Sequence, residues 1–304
     1  MKAQPTVLYD VPGRRARRRN VLYTVLFLVA LALLIWWVLQ SLADKNQLEA
    51  DKWEPFFTDS RSWSTYLLPG LKNTVIAAAL AMVIALPLGA LFGIARLSDH
   101  TWVRGAAGTV VEFFRAIPVL ILMLFANAAY AEFTDISPAS RPMYAVVTGL
   151  VLYNASVLAE VVRAGILSLP SGQTDAAKAI GMRKGQTMSY VLLPQSVTAM
   201  LPALVSQLVV IVKDTALGGA MLGFSELLAS VRPMSANYGA NTIASFTIVA
   251  VIFVILNFAL TTFAGWLERR LRRAKKSTGA VVGADAVEEL ARPGEHMEPG
   301  EGEK

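Results

Sequence analysis

No charged residue interrupts the chain from Val21 to Leu39, and none from Thr242 to Gly265. At about 1.5 Å of helix per residue, runs of this length cross the hydrocarbon core of a bilayer, which is about 30 Å thick. Four further apolar stretches follow the same pattern. They run from Asn73 to Ala95 with Pro87 and Gly89 inside, from an amphipathic start near Val103 to Ala131, from Pro142 to about Leu169, and from Gln195 to Val212 across Pro202. Backbone groups in lipid must be hydrogen-bonded within their own segment, so the expectation is an all-α integral membrane protein with about six transmembrane helices. Hydrophobic residues at 55% and charged residues at only 16% exclude an ordinary soluble domain.

The charges between the runs set an orientation. With both termini inside, 20 of the 28 Lys and Arg fall on the inner side, in agreement with the positive-inside rule. The +6 net charge is accounted for by basic inner loops, not by nucleic acid. Residues 1–20 form a basic N-terminus with Arg14, Arg15, Arg17, Arg18 and Arg19, and 21–42 an anchor helix. That apolar run is too long for a cleaved signal, ends in Trp36 and Trp37, and lacks a small-residue cleavage site. Residues 43–69 are expected outside, more as a connector than as a landing surface. Residues 70–270 hold the main membrane domain, and 271–304 an acidic tail expected inside and disordered. Without cysteine, and with only His100 and His296, the chain offers no disulfide, no thiolate chemistry and no convincing metal site.

One polar insert breaks the apolar pattern on the inner side. Residues 175–194 read DAAKAIGMRKGQTMSYVLLP. Thr174 is a suitable N-cap and Asp175 suits the positive end of a helix. Gly181 can adopt the left-handed conformation that ends one helix and turns toward the next, and Pro194 fits the first turn of a following span. The expected product is a short helix, a turn and a second short helix lying flat outside the membrane. This insert resembles the cytoplasmic coupling loop of ABC importer permeases, whose pattern is Glu-Ala-Ala, three residues, Gly, nine residues, then Ile-x-Leu-Pro. Asp175, Ala176, Ala177, Gly181, Val191, Leu193 and Pro194 occupy those positions in the segment 170–194, with Asp for Glu and Val for Ile.

The resemblance extends from about Gly70 to Arg270. LAEVVRAGILSLPSGQTDAAKAIG and VIVKDTALG are similar to the polar amino acid permeases, closest in appearance to those for glutamate, with Ala116, Ala164 and Ala216 as departures. It implies a type I, MetI-like permease core with an extra N-terminal helix, and a permease that is not itself an enzyme. It also implies an ATPase subunit carrying ATP and Mg, a second permease subunit of the same or a related kind, and an extracytoplasmic substrate-binding protein. Bacterial cell-membrane lipid surrounds the whole. The chain has no GxxxxGK[ST] sequence with which to cradle ATP itself.

Ionisable residues within membrane spans are costly and mark pathways. Asp214 can accept an ammonium, Lys213 or Arg115 can meet a carboxylate, and Thr215 and Asn154 can supply hydrogen bonds. Against this, Lys213 and Asp214 can simply cap a helix at the outer interface. The apolar stretch from Ala216 to Ala229 reads as a re-entrant or interfacial segment. Glu160 and Arg163, three apart, can pair on one helix face. An ion-gradient-driven secondary transporter is the alternative class, and would need paired discontinuous spans; only Gly218 to Gly223 hints at one. A membrane-anchored assembly protein would leave the 170–194 insert without a use.

Overall fold

The computed structural model describes residues 13–276, and the expectations for the flanking sequence, most of the acidic tail included, lie outside the described residues. In chain order the helices are α1 (Arg14–Ala43), α2 (Ala50–Trp53), α3 (Pro55–Thr58), α4 (Leu68–Ala95), α5 (Thr101–Ala116) and α6 (Val119–Phe133). They continue with α7 (Arg141–Leu167), α8 (Ser171–Ala179), α9 (Lys184–Gln186), α10 (Leu193–Leu222), α11 (Val231–Asn237) and α12 (Thr242–Lys276). Wider π turns, Ser62–Leu67 and Thr187–Leu192, lead into α4 and α10. Among the described residues, five helices are long and apolar enough to cross a membrane, or six when α5 and α6 count as one broken span.

The bundle is built around α7. Its most apolar window is 61% buried, whereas α1 buries no residue at all. α4 meets it along Ala77, Ala81, Ala85, Gly89 and Gly93, a four-residue repeat of small side chains on one face, all buried. Apolar lipid gives helices little hydrophobic reason to associate, so close backbone approach over small residues takes over that role. A Cβ on Gly89 would lie 2.6 Å from Leu158 Cβ, and one on Gly93 2.7 Å from the Ala159 carbonyl. On another side of α7, Gly149 leaves room for Met123 of α6. The central core gathers Ala81, Met123, Val146, Leu150 and Ile211 from α4, α6, α7 and α10.

The bundle has two distinguishable ends, one at Lys184 and one at Tyr238. At the Tyr238 end, residues 44–67 are a docked cap, not a loose connector. Gln47 donates to the Ala240 carbonyl and accepts from the Ile243 N–H, while Lys52 donates to the Gly239 carbonyl at 3.0 Å. Phe56 and Leu67 bury beside Leu227, Val231 and Met234.

Two span expectations need correction. The third span is not straight: α5 and α6 meet at 97°. Ile117 is extended (φ −91°, ψ 128°) and Pro118, lacking an N–H, starts the next helix. The fifth span does not stop at Lys213. Helix continues without interruption past Pro202, Lys213 and Asp214 to Leu222, and ends where Gly223 takes φ 74°. Residues 216–222 are therefore the end of a long span and not a re-entrant loop. Two charged residues alone do not stop a helix; a residue able to go left-handed does.

Candidate functional site

The 170–194 segment projects from the Lys184 end. α8 begins at Ser171 directly after Pro170, so Thr174 lies inside the helix and is not its N-cap. Asp175 falls in the second turn, past the strongest part of the helix dipole. Gly181 has φ 81° and open space around its Cα, so the turn uses its conformational freedom and not its small size. Ala177 is buried, whereas Asp175, Ala176 and Ile180 face outward, Ile180 being 78% exposed. Val191 lies in the π turn that follows, and Leu193 and Pro194 open α10.

Lys184 attaches this segment to the rest of the bundle. Its ammonium pairs with Asp99 and donates to the Leu97 carbonyl at 2.8 Å, both in the α4–α5 turn. That hydrogen bond holds the Asp99 carboxyl below the usual carboxylate range. One residue before Leu97, Arg96 pairs with Glu160 of α7 and with Glu112 of α5, the latter at 3.1 Å. Glu160 also binds Arg163 Nε at 3.0 Å, as the three-residue spacing predicts, and Arg115 at 3.3 Å. One carboxylate is thus met by three guanidinium groups, from the residue that caps α4, from α5 and from α7.

This placement separates the residues considered for substrate. Arg115 belongs to the Lys184 end, with Glu160 and Glu112, and not beside Lys213 and Asp214 in the second half of α10. Lys213 opens into a groove of about 560 Å³ between α10 and α12, lined by Ala216, Leu228, Phe246, Phe253 and Asn257 among others. Asp214, about 100° further round an unbroken helix, is not among the lining residues. Thr215 is buried and donates to the Val212 carbonyl at 2.8 Å. Asn154, also fully buried, donates to the Leu150 carbonyl at 2.7 Å and accepts from Gln207, joining α7 to α10.

Sequence reasoning missed Glu226. Between α10 and α11, fully buried, it accepts hydrogen bonds from the Leu228 and Ala229 N–H groups at 2.8 and 2.7 Å. Gly219 and Gly70 leave the room, since a Cβ on either would strike Glu226 or its neighbours. A lone acid three residues after the Gly218–Gly223 stretch was the available signal.

Residues 85–273 match the model of the family described as the binding-protein-dependent transport system inner membrane component. The chain belongs to this family. It is therefore the permease subunit of an ABC importer, a multi-pass inner-membrane component and not an enzyme. The permease is 45% identical over 243 residues to the glutamate transport system permease protein GluD of Corynebacterium glutamicum, covering 79% of this chain and 88% of that one. Its fold is similar to that of an amino acid ABC transporter crystallised with histidines, at TM-score 0.60 and 25% identity over 67% of this chain and 92% of the other. An inward-facing MetNI methionine transporter shares the fold at TM-score 0.56 and 24% identity, covering 70% of this chain and 99% of the other. The MetI-like permease core expected from the sequence is thus present, with α1 preceding the matched region.

Proposed function

We propose that this permease imports glutamate, with ATP hydrolysed by a separate subunit that holds the nucleotide and Mg, and that residues 170–194 receive the ATPase. The observation that supports the substrate is the 45% identity to GluD. What supports the docking role is the segment itself: a turned pair of helices that shows Asp175, Ala176 and the large apolar Ile180 to a partner while Ala177 packs inward. ATP draws two ATPase subunits together, and short helices seated in them move as bodies, shifting the spans between two access states. A second permease, identical or homologous, completes the path, and an extracytoplasmic binding protein delivers the amino acid. The Lys184 end is cytoplasmic in this reading, with both termini inside.

Lys213, in the groove beside α12, meets a substrate carboxylate. Asp214 lies near an ammonium, with Thr215 and Asn154 holding the helices that carry these charges. The test is reconstitution with the ATPase, the second permease and the binding protein. ATP-dependent glutamate uptake, with hydrolysis stimulated by loaded binding protein, is expected. Uptake driven by an ion gradient without ATP would establish the secondary-transporter alternative and remove this reading.

A further inference from the structure

The elbow between α5 and α6 is not fixed by its own backbone. Ile117 is extended and Pro118 offers no N–H, so no continuous helix sets the 97° angle. Packing does little more, because α5 buries only Ala107 and Val111 and leaves Trp102 and Phe113 on its outer face. What holds its last turn is charge. Arg115 and Glu112 reach Glu160 and Arg96 respectively, and the latter two are only 22% and 15% exposed. Partly buried pairs of this kind are costly to break, because one partner is left uncompensated. The same α4–α5 turn that begins at Arg96 carries Leu97 and Asp99, the two partners of Lys184.

We infer that Glu160 is a positioning residue: by binding Arg96, Arg115 and Arg163 it joins the 170–194 segment, the α4–α5 turn, α5 and the Lys184 end of α7 into one rigid block. A displacement of the segment is then delivered through the elbow to α6 as well as directly to α10. The inference rests on the coupling role proposed above, and adds a second route for the motion. The Lys184 contacts are exposed and individually weak, so they contribute position more than stability.

Because the chain has no cysteine, Phe113→Cys and Ala164→Cys, both at exposed sites, can be spin-labelled cleanly in the full complex with its ATPase. One narrow 113–164 distance distribution, unchanged between nucleotide-free and ATP-bound complexes, is expected. Glu160→Gln broadens it and lowers uptake by about tenfold or more while ATP hydrolysis continues, as fits the loss of a charged hydrogen-bond hub. Glu160→Asp, which keeps the charge, recovers most of the uptake. Should Glu160→Gln fail to insert, Arg115→Gln removes the elbow arm alone and must broaden the same distribution. A distance that shifts with ATP in the unmodified hub, a distribution that stays narrow in the variant that inserts, or full uptake by Glu160→Gln overturns the inference. Absence of glutamate-stimulated hydrolysis in the parent complex would instead sink the function proposed above, so the two failures are separable.

Discussion

The Tyr238 hydroxyl donates to Asp59 Oδ2 at 2.7 Å, tying the cap that follows α1 to the turn before α12 across 179 residues of sequence. The other carboxylate oxygen accepts from the Arg61 N–H at 2.8 Å. The Arg61 N–H, then the Tyr238 hydroxyl, hold the Asp59 carboxyl below its ordinary range. Loss of hydration, then the Asp59 hydrogen bond, push the Tyr238 phenol up to about 12.

Opposite pH limits follow for this cap. Asp59 binds its proton less readily when folded, so its contribution is complete above the ordinary carboxylate range and is lost as pH falls through and below about 4. Tyr238 keeps its proton longer when folded, so its contribution is complete below about pH 10 and is lost as pH rises toward about 12. Thermal unfolding of purified protein across this range should show both limits, and Tyr238→Phe should remove the alkaline one. An unchanged alkaline limb in that variant would remove Tyr238 from the linkage.

Gly89→Ala should destabilise the bundle by about 1 to 3 kcal/mol, since the added methyl strikes Leu158 and the Ala155 carbonyl at 2.6 and 2.9 Å. Gly105→Ala and Gly108→Ala, with open space at both positions, should be neutral or slightly stabilising through helix propensity. Melting temperatures of the three variants decide this. Equal stability in all of them would contradict the close α4–α7 crossing.

Gly181→Leu should abolish uptake without loss of membrane insertion, because a branched side chain at φ 81° costs about 1 to 2 kcal/mol locally and reshapes the turn proposed to receive the ATPase. Asp175→Lys should act through lost partner contact more than through helix stability, since Asp175 sits in the second turn of α8. Uptake and ATPase binding measured together distinguish the two effects. Normal uptake by both variants would exclude this segment from coupling.

Lys213→Gln should raise the half-saturation for glutamate by about ten- to a hundredfold if its ammonium meets a carboxylate. Arg115→Gln, at the opposite end, should leave half-saturation unchanged and reduce the maximal rate. Transport assays at limiting binding protein read both numbers. The reverse pattern would place the substrate carboxylate at the Lys184 end.

An impermeant reagent applied to intact cells should label a cysteine at Glu49 and miss one placed after Lys276. The positive-inside count motivates this assignment. Labelling of the second site would turn the whole bundle over, the 170–194 segment included.

The uncharged runs, the basic loops and the spacing from Asp175 to Pro194 were enough to read a helical membrane permease from the sequence. Each is a local property: a span needs only its own length and hydropathy, and a left-handed turn needs only Gly181. Helix ends were less legible, because Lys213 and Asp214 look like a boundary until Gly223 is seen to be the residue that adopts the terminating conformation. The convergence of Arg96, Arg115 and Arg163 on Glu160 was not legible, apart from the pair three residues apart. It joins three helices whose approach depends on the small-residue face of α4 and the elbow at Pro118. Arg115 stands apart from Lys213 for the same reason: one-dimensional order records which residues flank an apolar run, whereas the direction in which each span crosses the bundle decides at which end they meet.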